Sequence, residues 1–437
     1  MTPKALKELL TEVAKKWGVP GAQLYVGGAS ESIFVSTGFA NMASKIEVIE
    51  TTQFQLGSTT KPMVAFMAHR LAEDGMIDLD ASVTRYLTEA PDAIGDKLSN
   101  ITIRQLMSHQ SGLSGDAFFD LGDDFDAERR LITEASELPI VHAPGEDVSY
   151  CNFGYVLLGQ ILEQAIGKHW TTLFKEHVAA QFETTTLEPW PTASADDRAI
   201  GHANGTPVQR VALPASNAAA GTTLVGTARD LGRFGHLVLD SLRGTGPISR
   251  SSARKMITLT RSLAPNERGL GFGQGLMVFQ KAPLVFGHDG LTTGQQAYLR
   301  VFEESGATLA FLGNGGDMRS AIADLLSELT LETGSDVPPP DIPDGNSGQI
   351  EPGLFARANA SIEISVSASG PHLTIINHEP WAADLYGDRE GPFALVALPN
   401  GGAGFYKSAS ATPFRVHVSG DAAYLGMRRY NRAVRPA

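Results

Sequence analysis

The chain has 437 residues, 42% of them apolar, with a single cysteine and a formal net charge of −13. That length and apolar content suit a folded chain of two domains and exclude a disordered one. The acidic balance, with no block of Lys and Arg, argues against nucleic acid or anionic lipid as a partner, and the lone Cys151 excludes an internal disulfide and any cysteine-based metal centre.

The periodicity predicts an amphipathic helix over Pro3–Trp17, then two short strands, Ala22–Gly27 and Ile33–Thr37. Lys4, Lys7 and Glu8 interrupt the first apolar run, so it lacks the core of a signal peptide. No apolar stretch is long enough to span a bilayer. With the reducing compartment that one cysteine suits, this leads us to expect a soluble, cytoplasmic protein with no membrane partner.

A helix is predicted over Lys61–Glu73, with Met63, Phe66, Met67 and Leu71 on one face and Gly75 as its stop. A mostly helical region follows to about residue 240. It includes Ile101–Ser108 (Thr102 as cap), a Gly- and Asp-rich loop over Ser111–Asp126, Phe153–Ile166 and Ala228–Leu239. Strands return at Leu276–Phe279, Leu284–Gly287, Gln296–Phe302 and Ala307–Leu312, before a helix over Asp317–Glu332. This order implies an α/β domain: a mixed, mainly antiparallel sheet built from both ends of the segment, flanked by helices, with a helical lobe inserted.

Residues 336–353 form a Pro- and Gly-rich linker between a first domain, 1–335, and a second, 354–437. The second holds short strands at Ser361–Ser367, His372–Ile376, Phe393–Leu398, Phe414–Val418 and Ala423–Met427. Asn400-Gly401-Gly402 and Ser419-Gly420-Asp421 supply turns, which implies a small antiparallel barrel or sandwich.

Three short constellations carry chemistry. In Phe54-Gln55-Leu56-Gly57-Ser58-Thr59-Thr60-Lys61-Pro62, Ser58 stands at a helix start with Lys61 one turn later. Pro62 fits only in the first turn. A hydroxyl and an amine held together there make an activated nucleophile; alone, the same pattern reads equally as a helix cap with a solvated Lys. Ser252-Ala253-Arg254-Lys255 has the same spacing without the preceding Gly. Tyr150-Cys151-Asn152 follows a Pro144-Gly145 turn; alone, Tyr150 packs in the core and Asn152 caps the next helix. Gly287-His288-Asp289-Gly290-Leu291 follows a strand, where Gly290 lets a substrate backbone approach; alone, it is also a hairpin turn.

Other site types fail. The alternating Gly269, Gly271, Gly273 and Gly275 lack dinucleotide-site spacing, and no H-E-x-x-H or G-x-S-x-G occurs. The eleven His are scattered, and the acidic run Asp120–Asp126 lacks EF-hand spacing. We expect neither a metal nor a cofactor.

Taken in order, Ser-x-x-Lys, Tyr-x-Asn and His-x-Gly resemble the serine β-lactamase and penicillin-binding-protein-like hydrolases. The nearest branch is that of class C β-lactamases, D-alanyl-D-alanine carboxypeptidases, D-aminopeptidases and related esterases. Leu106-Met107-Ser108-His109-Gln110-Ser111-Gly112-Leu113 and Thr227-Ala228-Arg229-Asp230-Leu231 are family-like flanks. The resemblance covers roughly residues 5 to 333; the second domain resembles the lipocalin-like barrel that some members append. It implies a β-lactamase-like fold with Ser58 as nucleophile, Lys61 as its activating neighbour and Tyr150 as proton shuttle. Asn152, His288 and Gly290 would contact substrate, and the amides of Ser58 and Leu291 would form the oxyanion hole.

Two positions depart from the family. Cys151 replaces the usual Ser, and His288 the commoner Lys. A neutral His hydrogen-bonds rather than grips a carboxylate, which favours a peptidase, amidase or esterase over a β-lactamase. The expected substrate is a small molecule or short peptide, with D-amino-acid peptides the specific choice. The motifs equally allow an acyltransferase or peptide cyclase using the same acyl-enzyme, and a non-catalytic binding homologue is the remaining class. The second domain is expected to shape the active-site mouth or to oligomerise the chain.

Overall fold

Both ends of the first domain build one antiparallel sheet. The computed structural model describes residues 1–333 and 352–433, apart from 29–30, 88–91, 116–118, 120, 123, 125, 136–137, 183, 185, 190–197, 204, 209–212, 265–268, 358–359, 368, 379–387, 398–402 and 406–413. The Pro-rich stretch from Val337 and the Asn400-Gly401-Gly402 turn lie outside the described residues.

The eight strands run in the order Ile46–Glu47, Ser32–Asn41, Gly21–Gly27, Ala307–Gly313, Gln296–Phe302, Leu284–Leu291, Met277–Lys281 and Gly271–Phe272. The N-terminal strand Gly21–Gly27 therefore sits beside the last strand, Ala307–Gly313, with Leu24 opposite Phe311. Side chains alternate between the two faces, as the pleat demands. Leu309 and Phe311 face the terminal helices Pro3–Lys16 and Met318–Thr333, in one cluster with Leu6, Leu10, Met318 and Leu325. Ala310 and Leu312 face the helix Ala228–Arg243, in the cluster of Leu231, Phe234 and Val238.

The helical lobe is inserted between these strands. Its central helix, Thr60–Glu73, is buried at every position from Thr60 to His69 and again at Leu71. The expected single apolar face is thus wrapped on all sides. The helix packs against Asn152–Ile166, Trp170–His177 and Arg250–Ile257, and a helix so surrounded has no solvent face to present. Other starts follow local chemistry. Thr102 and Gln105 form a capping box for Ile103–Met107, and Thr227 and Asp230 form one for Ala228–Arg243.

The second domain is one nine-stranded antiparallel sheet. Its two edge strands, Arg389–Ala394 and Val396–Ala397, are separated in the chain by Leu395 alone, so the sheet curls back on itself, barrel-like rather than a sandwich. Phe355, Ile362, Ile364, Leu373, Phe405 and Val416 fill its inner face. The strands Gly353–Arg357, Ala403–Phe405 and Arg428–Arg432 escape the sequence pattern. The last is the clearest case. Arg-Arg-Tyr-Asn-Arg carries one apolar residue, yet Tyr430 pairs with Ala423 across a turn at Gly426, where φ is +60°. Among the described residues no helix is long and apolar enough to cross a membrane.

Phe66 is fully buried in the central helix, with its ring edge-on to Phe234. We expect Phe66→Ala to destabilise the first domain by about 3–5 kcal/mol, read as a lower denaturant midpoint. A midpoint unchanged within error would mean that the helix is not the core element described.

Candidate active site

Ser58 lies in a 3-10 turn, Gly57–Thr59, that feeds the Thr60–Glu73 helix, with Pro62 in the first helical turn. Gly57 has φ +54°, a conformation that suits glycine, and a Cβ there would lie 2.9 Å from the Leu291 nitrogen. The helix start brings Lys61 under Ser58. Its side chain has no exposed surface, and Nζ donates to Ser58 Oγ at 3.1 Å and to the Ala220 carbonyl at 2.5 Å. Ala220 ends a short 3-10 segment, Ala215–Ala220. The next residue, Gly221, has φ +108°, and a Cβ on it would collide with the Gly57 carbonyl oxygen. The Ala219 amide donates to the buried Glu128 carboxyl at 2.7 Å. Burial first, and the nearby Glu163 second, raise that carboxyl well above its usual range.

Tyr150 sits in the irregular stretch before the Asn152–Ile166 helix and is almost fully buried. The Lys61 ammonium stands 5.1 Å from the centre of its ring and 5.5 Å from that of Tyr155. Both contacts have cation–π geometry. The two phenols differ. Tyr155 OH donates to the Met107 carbonyl at 2.9 Å, and burial pushes its pKa well up, so it stays protonated. His109, at φ +57°, packs its ring 4.4 Å from that of Tyr150. Cys151, not Asn152, caps the following helix: its Sγ accepts from the Gly154 amide at 3.2 Å. Asn152 is the buried first residue of the helix.

His288, Gly290 and Leu291 belong to the strand Leu284–Leu291 and not to a turn. Pairing with Met277–Lys281 ends at Gly287, so His288–Leu291 keep one edge without a strand neighbour among the described residues. A Cβ on Gly290 would collide with the Leu56 carbonyl oxygen and lie 3.2 Å from the Ser58 nitrogen. The strand edge and the Ser58 turn thus touch through backbone atoms, while the Leu291 side chain is 51% exposed at the rim.

His288 is 1% exposed. Its Nδ1 lies 2.7 Å from the Asp289 carbonyl oxygen, which fixes the proton on Nδ1 and leaves Nε2 as an acceptor with no partner among the described residues. Burial first, and the Lys61 cation second, lower its pKa to about 3. It is therefore a neutral hydrogen-bonding group and not a fixed charge.

Ser58, Lys61, the Tyr150 ring, His288, Gly290 and Leu291 are thus brought together, and Asn152 is buried at the start of the helix that follows Tyr150. Sequence reasoning missed the Ala220 carbonyl, Tyr155 and the role of His109. The first two carry no motif, and a backbone acceptor leaves no side-chain signal. His109 was visible only as part of a flanking motif.

An antiparallel sheet flanked by helices, with an inserted helical lobe and a Ser-x-x-Lys turn packed against one of its strands, defines a β-lactamase-fold hydrolase. The family model described as Beta-lactamase matches residues 6–330, and the chain belongs to that family. Penicillin-binding protein 4 of Amycolatopsis lactamdurans is 30% identical over 329 residues, 72% of this chain and 86% of that protein. Among solved structures, SurE matches with a TM-score of 0.77 at 23% identity, covering 99% of both chains. The D-amino acid amidase of Ochrobactrum anthropi SV3, solved with D-phenylalanine, matches with a TM-score of 0.65 at 23% identity, covering 75% of this chain and 99% of that one. The SurE match extends over the second domain.

Two outcomes test this geometry. Gly290→Val should push the strand off the Ser58 turn and lower kcat/KM at least tenfold; an unchanged value would contradict the close approach. For His288, the folded pKa lies below the unfolded value of 6.5, so the unfolded chain binds the proton first on acidification. Stability should fall as pH drops from 6.5 towards 3, with His69, held near 4 mainly by burial, acting in the same direction. His288→Gln should flatten the pH dependence of the urea midpoint by about 1–2 kcal/mol at pH 5. Equal slopes in the two proteins would contradict a buried neutral imidazole.

Proposed function

We propose that this protein is a serine hydrolase that cleaves an amide or ester bond of a small peptide-like substrate through an acyl-enzyme on Ser58. A D-amino-acid peptidase or amidase is the specific reading. The observation that carries it is the hydrogen bond from the fully buried Lys61 Nζ to Ser58 Oγ at 3.1 Å.

The chemistry follows from that contact. Ser58 Oγ attacks the substrate carbonyl carbon as its proton passes to the Lys61–Tyr150 pair, one coupled acid–base unit that starts one proton short of ammonium plus phenol, so that the Tyr150 oxygen, ionised beside the Lys61 cation, takes it. The carbonyl electrons move onto oxygen, where the amides of Ser58 and Leu291 receive the charge; each such donor contributes ~10²–10³ in rate. Collapse expels the amine or alcohol, which takes the proton back. Water then attacks the Ser58 ester, releases the acid and restores the hydroxyl.

The substrate class rests on two supports. The open edge of His288–Leu291 suits an extended peptide backbone laid alongside it. The neutral His288 offers a hydrogen-bond acceptor and no cation for a carboxylate, which favours amides and esters over β-lactams. The D configuration is argued from relatives. SurE was solved with D-Leu, and the Ochrobactrum amidase with D-phenylalanine and with L-phenylalanine.

Ser58→Ala should abolish turnover of D-phenylalanine amide and p-nitrophenyl acetate, and abolish labelling by a fluorophosphonate. Labelling that persists in the variant would rule Ser58 out as nucleophile.

A further inference from the structure

The irregular stretch that carries Tyr150 is held from two domains at once. Its three successive amides go to alternating partners. Ser149 N donates to the His109 carbonyl at 3.0 Å, Tyr150 N to the Met427 carbonyl at 2.9 Å, and Cys151 N to His109 Nδ1 at 3.1 Å. The middle amide, that of Tyr150 itself, is thus satisfied by the second domain. Met427 lies in the turn between the strands Ala422–Leu425 and Arg428–Arg432, and its side chain is buried in the cluster that holds Val148, Tyr150 and Phe272.

The rest of the hairpin clamps the same stretch. Asp147 Oδ2 accepts from Tyr424 OH at 2.7 Å and from Arg429 Nη1 at 2.8 Å. Ser149 Oγ accepts from the Arg429 amide at 3.2 Å, and the Val141 carbonyl accepts from Asn431 Nδ2 at 3.0 Å. The Arg428 guanidinium lies 4.9 Å from the centre of the Tyr150 ring. Burial alone would raise the Asp147 carboxyl, but the bonds from Tyr424, the Val148 amide and Arg429 outweigh it and hold the group below its usual range. Burial and the accepting carboxylate push Tyr424 up to about 12. Asp147 is therefore a charged anchor, and charge-assisted bonds of this kind are the strong ones.

We propose that this C-terminal hairpin is a positioning element for Tyr150, so that the second domain supplies catalytic competence and not only substrate selection. The proposal rests on the reading of Tyr150 as proton shuttle. The stretch before the Asn152–Ile166 helix has no ladder of its own, and a phenol that must meet both Ser58 and Lys61 tolerates little displacement. Without the hairpin, the Tyr150 amide loses its acceptor and the Asp147 carboxylate loses its cation.

The test uses the full chain with Asp147→Ala and Arg429→Ala, and p-nitrophenyl acetate, a small neutral ester that gives the hairpin nothing to recognise. We expect kcat to fall at least tenfold with KM within threefold, and the pH–rate profile to shift. We also expect the amides of 149–151 to exchange hydrogen at least tenfold faster by mass spectrometry. Tyr424→Phe, which removes one hydroxyl, should move every readout the same way by a smaller factor and covers the case in which the harsher variants fail to fold. Ester turnover within twofold of the parent protein, or unchanged exchange over 149–151, would overturn the proposal. Amide exchange needs no catalysis, so it decides the hairpin's role even if Ser58→Ala were to show that another residue is the nucleophile.

Discussion

An ammonium group with no exposed surface must be solvated by the protein itself, and Lys61 sets that demand on this fold. Burying an unpaired charge costs several kcal/mol, so each contact to Nζ constrains the element that provides it. Ser58 Oγ comes from the turn at the sheet edge, the Ala220 carbonyl from the helical lobe, and the rings of Tyr150 and Tyr155 from the loop and helix beyond. These elements meet at one nitrogen. Gly57, Gly221 and Gly290 lie where backbones crowd to make that meeting possible, and a side chain on any of them would strike a neighbouring main chain. The buried Glu128, its carboxyl pushed up by burial, holds the Ala219 amide one residue away.

The same ammonium explains the state of His288. A second cation beside it would be repelled and desolvated together, and the imidazole stays neutral with its free lone pair in the site. At this position the chain therefore presents an acceptor and not a cation. Positive charge is instead brought near the Tyr150 ring by Arg428, from a different domain. The first domain sets Ser58 against Lys61, and the last hairpin of the second braces the loop that carries Tyr150.

Much of this was legible because it follows from local periodicity. The spacing of Ser58 and Lys61 across a helix start, with Pro62 in the first turn, forces the two side chains together whatever surrounds them. The central strands Gly21–Gly27, Gln296–Phe302 and Ala307–Gly313 were legible because their apolar residues are buried on both faces, whereas the two-residue strands Ile46–Glu47 and Gly271–Phe272 are too short to leave a pattern. The burial of the Thr60–Glu73 helix on every side was not legible, since it depends on three helices that pack against it from elsewhere in the chain. The capping role of Cys151 was hidden because sulfur is an unusual acceptor there. The hairpin's grip on Tyr150 was hidden more deeply. It runs through a backbone carbonyl at Met427 and a strand of mostly polar residues, and neither leaves a pattern for a sequence reader to find.

The most direct measurement is the mass of the intact protein in the first seconds of reaction with an activated D-aminoacyl ester, followed by peptide mapping. The account requires a transient aminoacyl adduct on the peptide that contains Ser58, formed and lost at rates that match turnover. Steady turnover with no adduct, or an adduct on a different residue, would contradict it.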